Sequence, residues 1–372
     1  MTLQSSGEIK LSQIAGEFGF NQNSTSTPNR VSLGDFRKHN FTTNGGNYPL
    51  TLGDLTFNSL DATSGGSVPT GSSQISFTDF YGTKLQTVVN YFGSGFGGLR
   101  QNAKSRYDVN VNPQDTDPSA SDVVVVGNYK SRPPSSANTK VHIHVNQLMG
   151  SEKNNVNHCA LRTGSWDANT ILHVDVGGNG RISGAGGDGG DGSKASRSGG
   201  PGGDGSSGLG IEYDPTTVTV ASGGFIQAGF AGGGGGGGGF DTDKEADRTA
   251  SGAGGGGGAG HPFGAGGAAG TDATQIGNGP AGNPGNLLSG GTGGPSTNND
   301  DEATGGEGGD GGDRNANAQN GTQGTGGEGS TSPGGLAGAQ GAAIRRNSGF
   351  TVNIDATSLT RVFGSDSATN VQ

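Results

Sequence analysis

Hydrophobic positions along the 372-residue chain fall into three regimes. Over the first 83 residues a short apolar–polar alternation recurs as Ile9-Lys10-Leu11-Ser12-Gln13-Ile14, Val31-Ser32-Leu33-Gly34-Asp35-Phe36, Leu50-Thr51-Leu52-Gly53-Asp54-Leu55 and Ile75-Ser76-Phe77-Thr78-Asp79-Phe80. Alternation over so few residues suits a very short strand. In three copies Ser or Thr stands three residues before Asp, a capping-box spacing that predicts a one- or two-turn helix after each strand. One copy buries almost nothing, so the copies must pack on one another or on a partner.

In residues 84–183 the pattern is that of strands. Leu85–Tyr91, Val123–Val126, Lys140–Val145, Ile171–Val176 and Arg181–Ile182 are β-branched or alternating, with Pro, Asn, Asp and Ser clusters between them. A small antiparallel sheet or sandwich with one solvated face is expected. Its last strand leads straight into glycine.

Of 81 glycines, 61 lie between Gly177 and Gly341. They form ten glycine-rich runs, from Gly184–Gly192 to Gly334–Gly341, separated by polar connectors. Flexible linker is the default reading of such composition. The regular run length and the return of a β pattern at Ala343–Ile354 argue instead for order. Glycine can adopt an extended three-residue helix, and such rods packed side by side exchange N–H···O=C bonds that no isolated rod can make. The expected fold is therefore mostly β and irregular with little α-helix: strand–helix repeats at 1–83, a β base at 84–183, about ten polyglycine II-type helices closed by a C-terminal strand at 184–363, and a tail at 364–372.

Composition narrows the function. The formal charge is −10, from 22 Lys+Arg against 32 Asp+Glu, with no basic face to attract nucleic acid. No run approaches 18 apolar residues and the first thirty lack an apolar core of signal-peptide type, so membrane insertion and signal-directed export are not expected. Cys159 is the single cysteine, which excludes an intrachain disulfide.

The candidate chemistry is thin. His142-Ile143-His144 puts two imidazoles on one strand face, too few for a metal unless three chains combine. Asp188-Gly-Gly-Asp191 and Glu307-Gly-Gly-Asp310-Gly-Gly-Asp313 lack the apolar position of calcium-binding β-roll repeats and read as solvated carboxylates. Cys159 follows His158, but neighbours on a strand face opposite ways. The glycine runs carry no phosphate-loop Lys-Ser/Thr pair, and no carboxylate pair has a fixed spacing. No enzyme, cofactor or resident metal is expected. Trp166, Phe225 and Phe230 are expected where the sheet meets the glycine block.

The opening Leu3–Ile14 and the segment Ile75–Gly82 resemble N-terminal segments of tailed-phage fibre and minor tail proteins. The stretches Ala160–Trp166 and Arg181–Gly187, the run Gly232–Gly239 and the ending Gly341-Ala342-Ala343-Ile344 resemble glycine-rich phage adhesin domains. Among trimeric phage fibre shafts the His-x-His pair of 142 and 144 has a metal-binding likeness. The resemblance implies a tail-fibre or tail-tip adhesin, with partners among the phage tail or fibre proteins and a host surface protein or polysaccharide. It implies either a trimer or a monomer on a trimeric fibre. The alternative is a structural tail or baseplate component whose glycine block is a spacer or a coat.

If the rods run antiparallel, alternate connectors emerge at opposite ends. One set is polar and charged, and surface loops on a rigid scaffold are where binding resides. Its candidate receptor contacts are Lys194, Arg197, Phe240, Asp241, Asp243, Lys244, Glu245, Arg248, Asp272, Gln275, Asn298, Asn299, Asp300 and Asp301. The other set carries Ile211, Val218, Val220, Phe263, Leu287 and Leu288, which suit packing on the base; its member Asp313–Asn320 is wholly polar. Virion docking is assigned to Ile14, Phe36, Leu55 and Phe80.

Overall fold

The structure, a computed structural model, describes residues 6–11, 13–14, 51–52, 55–56, 74–81, 86–91, 105–108, 124–125, 140–145, 148–153, 155–163, 168, 171–194, 197–241, 248–271, 278–299, 303–326 and 331–371. In the fourth N-terminal copy the Ser76 amide donates to the Asp79 carboxylate at 2.7 Å and closes the capping box of a 3-10 turn, Phe77–Phe80. Tyr81 donates its hydroxyl to the carbonyl of Gly7, joining the fourth copy to the first. Ile9, Ile14 and Phe80 are buried in this unit, and Phe77 stays exposed. Ile14 and Phe80, assigned to virion docking, are wholly buried. Phe36, and the side chain of Leu55, lie outside the described residues.

The third copy departs from expectation. Here β1 (Thr51–Leu52) and β2 (Leu55–Thr56) pair antiparallel with Leu52 opposite Leu55. The Gly-Asp between them is a dipeptide suited to a two-residue hairpin, and that turn competes with the helix its Thr-x-x-Asp spacing suggests.

The base is a parallel coil, not the antiparallel sheet expected. The chain enters through β3 (Gln86–Tyr91), β4 (Ser105–Asp108) and β5 (Val124–Val125). It continues through β6 (Lys140–Val145), β7 (Leu148–Gly150), β8 (Cys159–Arg162), β9 (Ile171–Val176) and β10 (Arg181–Ser183). After a glycine excursion come β11 (Ser207–Ile211), β12 (Thr216–Val220) and β13 (Phe225–Gln227). Each strand lies parallel to the one a full turn earlier: β11 on β8, β12 on β9, β13 on β10. Three sheets result, and Ile143, Leu161, Leu172, Val174, Ile182, Leu209, Val218 and Ile226 fill the space they share. Apolar alternation reports that one strand face is buried; it carries no record of direction, because direction depends on where the connection returns.

The glycine segments are inserted into this coil. One excursion, residues 184–206, leaves after β10; a longer one, 228–341, leaves after β13. The chain then resumes the same sheets with β19 (Ala342–Arg346) on β11, β20 (Val352–Ile354) on β12 and β21 (Val362–Phe363) on β13, and ends with β22 (Ser365–Ser367) on β19. The strands numbered β14 to β18 belong to the longer excursion and are described below.

Within the excursions hydrogen bonds advance in steps of three. Gly184, Gly187 and Gly190 donate to the carbonyls of Gln227, Phe230 and Gly233, whereas Gly186, Gly189 and Gly192 donate to Pro262, Ala265 and Ala268. The remaining phase accepts: Gly200, Gly203 and Ser206 donate back to Asp191, Asp188 and Ala185. Three consecutive residues therefore address three different neighbours. Each segment runs antiparallel to its predecessor, as the pairs Gly233→Gly256, Gly267→Gly255, Gly282→Gly267, Gly308→Gly294, Gln319→Asp310 and Gly321→Gly335 continue the same reversal.

This periodicity explains where uninterrupted glycine is needed. Residues 229–239 and 252–260 are buried along their whole length. A Cβ on Gly233, Gly234 or Gly235 would collide with the carbonyl oxygens of Gly309, Gly335 and Asp191 respectively, three neighbours for three residues. In the peripheral run 305–312 the blocked positions include Gly308 and Gly309, while Glu307 between them and Gly306 is exposed.

The outward carboxylates are not simply solvated. Asp188 and Asp191 accept the amides of Ala265 at 2.7 Å and Ala268 at 2.8 Å, Asp204 that of Ala339 at 2.7 Å, and Asp310 that of Gly293 at 2.8 Å. An amide at the edge of the block has no neighbouring segment to bond, and an aspartate reaching over from the next one supplies the acceptor. Lys153 adds an ion pair to Asp188 at 2.7 Å, tying the base to the block.

The base end of the block is fastened by Arg314. Its guanidinium lies 4.0 Å from the Phe225 ring centre and 3.9 Å from that of Phe363, and its Nε donates to Gln227 at 2.8 Å. Burial, with a smaller contribution from Arg181, lowers its pKa to about 10, so it remains charged at neutral pH. The polar connector at 313–320 thus belongs to the base end after all, because arginine offers a flat face to aromatic rings. Phe225 and Phe230 are buried as expected; Trp166 lies outside the described residues. Ile211, Val218 and Val220 are also buried, but Phe263 and Leu288 are exposed. Their connectors dock through backbone instead, with Gly186 donating to Pro262 and Gln227 to the Leu287 carbonyl. Arg314→Ala removes two ring contacts and leaves the Gln227 oxygen unpaired, an expected loss of roughly 2–3 kcal/mol. Arg314→Lys is expected to recover less than half of it, as thermal melting of the two variants checks.

Candidate functional site

The antiparallel reversal sends alternate connectors to the end of the block remote from the base. There β14 (Gly239–Asp241) pairs with β15 (Arg248–Ala250), Phe240 opposite Thr249 and Asp241 opposite Arg248. Next to them, β16 (Thr297–Asn299), β17 (Ala303–Gly305) and β18 (Thr325–Gly326) make a second small antiparallel sheet. Bridges from Gly239 to Thr331 and from Gly324 to Ser332 join the connectors, and the Thr297 hydroxyl donates to the Ser251 carbonyl at 2.8 Å. The 193–198 connector belongs to the same end: Gly238 donates to the Arg197 carbonyl at 3.0 Å.

Lys194, Arg197, Phe240, Asp241, Arg248, Asn298 and Asn299 are thereby gathered at one end of the block. Lys194, Arg197 and Asn298 are exposed and Phe240 is half-buried. Asp241 is buried at the root of its hairpin. Asp243, Lys244, Glu245, Asp272, Gln275, Asp300 and Asp301 lie outside the described residues. Sequence reading missed the small strands that hold these connectors; the one signal was Asn299-Asp300-Asp301-Glu302, a turn-forming cluster between two Thr-bearing triplets.

The other candidate chemistry lies in the base. In register His142 stands opposite His173, and His144 opposite Asp175, on adjacent strands of the base; the side chains of His142 and His144 lie outside the described residues. Among the described residues no group of three His, Cys, Asp or Glu is arranged to hold a metal. Cys159 is wholly buried, which pushes its thiol pKa up to about 12 and leaves no thiolate at neutral pH. His158 turns to Glu152 at 2.8 Å and to Asn155 at 2.9 Å. Among the described residues no helix is long and apolar enough to cross a membrane.

The family model of phage tail fibre adhesin Gp38 matches residues 108–366. The chain belongs to this family. It is an adhesin of a phage tail fibre, a virion component that recognises a host receptor. The matched stretch takes in the base from β5 onward and every glycine segment, leaving the N-terminal copies of the adhesin outside it. No curated protein and no solved structure matches the chain.

Proposed function

We propose that the adhesin's ten glycine runs form a bundle of polyglycine II helices standing on the β base, and that it meets its receptor through the connectors at the far end. The observation that carries this is the three-residue hydrogen-bond step, together with its reversal from each segment to the next. A step of three is the repeat of the polyglycine II helix, and about nine residues at its rise span roughly 28 Å. The reversal separates the connectors into a base set, fastened by Arg314 and Gln227, and a remote set that includes Lys194, Arg197 and the paired strands β14 and β15. A rigid scaffold of this kind presents loops for binding rather than catalysis.

We infer further that residues 1–83 attach the adhesin to the tail fibre. The buried Ile9, Ile14 and Phe80 give this segment a small core of its own, and Phe77, 40% exposed, is an apolar contact left over. Deleting 1–83 is expected to leave a soluble fragment that still binds host cells but no longer enters particles, read by cell pull-down and by particle proteomics. Normal incorporation of the fragment would place attachment elsewhere.

A further inference from the structure

We propose that the 193–198 connector binds an anionic group, phosphate or carboxylate, on a surface glycan of the host; this rests on the far end of the block being the receptor-binding surface. Cations are few in this acidic chain, and of the nine whose side chains are described in the base and block, seven are used internally. Among the described side chains there, Lys153, Arg162 and Arg346 sit on carboxylates. Arg181 and Arg314 lie over the Phe225 ring, while Arg345 and Arg361 donate to a hydroxyl and a carbonyl. Lys194 and Arg197 have no such partner, and both are exposed.

Their backbone, by contrast, is held. Arg197 donates its amide to the Lys194 carbonyl at 3.2 Å, closing a turn. Gly238 bonds the Arg197 carbonyl at 3.0 Å, and Ser193 donates to Gly236 at 3.1 Å. Two positive side chains are thus displayed from backbone anchored at Ser193, Lys194 and Arg197, and no described group neutralises them, the arrangement of a site prepared for an outside charge.

A second observation points to the same place. Ser193 and Ser251 are both buried, and neither hydroxyl has a hydrogen-bond partner. They belong to adjacent segments at the far end, where Gly252 donates to the Ser193 carbonyl at 3.1 Å. Buried hydroxyls are almost always paired, so two unpaired ones at the root of an unpaired cationic turn call for a ligand. The chemistry favours an acidic sugar over a protein: the connector reads Ser-Lys-Ala-Ser-Arg-Ser and contains no aromatic or large aliphatic anchor of the kind that dominates protein hot spots. Hydroxyls and cations together match a sugar that carries a phosphate or carboxylate.

The test uses the full-length adhesin and purified host surface glycan in native, dephosphorylated and carboxyl-reduced forms, titrated at several salt concentrations. The wild type is expected to bind native glycan with an affinity that falls as salt rises. The Lys194→Gln/Arg197→Gln double variant is expected to bind about tenfold more weakly and with little salt dependence. Loss of wild-type binding to the dephosphorylated form names phosphate as the group, and loss to the carboxyl-reduced form names carboxylate. Ser251→Ala should weaken binding severalfold without lowering the melting temperature, a readout that a merely structural serine would not give. If the double variant keeps wild-type adsorption while scrambling residues 242–247 abolishes it, the far end is right and this site is wrong. If neither change affects adsorption, the reading of the far end fails and the proposal with it. Loss of adsorption in the double variant with no glycan form binding the wild type would identify a protein receptor and overturn the assignment.

Discussion

Replacing Gly256 by valine is expected to unfold the glycine block outright. The Gly256 amide donates to Gly309 at 2.9 Å, its carbonyl accepts from Gly233 at 2.9 Å, and a Cβ would drive into the Gly291 carbonyl with the Gly311 nitrogen close behind. No flexible side chain stands in the way to swing aside; the colliding atoms are backbone, on the segment that carries Gly309 and on one further segment that carries Gly291. Relief requires the segments to separate, which breaks hydrogen bonds on several sides together. The cost should exceed the roughly 1–3 kcal/mol of ordinary overpacking and pass about 4 kcal/mol. Glu307→Val provides the control: it adds the same side chain to a glycine-rich segment at a position that faces solvent. Its effect should stay within about 0.5 kcal/mol. Equal melting temperatures for the two variants would mean that the block does not hold its order through close backbone approach.

Scrambling residues 242–247 is expected to reduce adsorption to host cells by about a hundredfold or more, since receptor contacts concentrate in a few residues. Phe240, Asp241 and Arg248–Ala250 are left intact in this design because they pair as a hairpin and close the end of the block. Melting temperature should therefore hardly move. The counterpart at the opposite end is Phe263→Ser/Leu288→Ser, which alters two exposed apolar side chains near the base. Adsorption that survives the scramble and fails in this second variant would move the receptor site to the base end of the block.

How much of this was legible in the sequence depends on which interaction encodes it. The glycine runs announced their own lengths and their alternation with polar connectors, so the separation of connectors into two sets could be worked out by counting. The same counting suggested that the all-polar 313–320 connector broke the rule. It does not, and the reason is a π contact between Arg314 and two rings, Phe225 and Phe363, that lie far from it in sequence. The capping box at Ser76 and Asp79 was readable because it is local. Strand direction in the base was not, since β9 and β12 are neighbours only after the chain has travelled out through two glycine segments and back. The candidate site was legible as a set of connectors but not as chemistry. The unpaired hydroxyls of Ser193 and Ser251 show themselves only once their surroundings are known.

The interior of the block is buried yet has almost no side chains, and this bears on its heat capacity. An ordinary core exposes hydrocarbon on melting, which raises the heat capacity and bends the stability curve into a dome with losses on the cold side as well as the hot. Melting residues 229–239 and 252–260 exposes mainly peptide groups, whose hydration contributes with the opposite sign. The block should therefore show a heat-capacity increment per residue well below that of the β base, and a stability that keeps rising on cooling instead of passing through a maximum. For a particle that must wait outside a cell at whatever temperature it finds, a scaffold of hydrogen-bonded glycine holds its binding loops in place over a wider range than an oily core of the same size could.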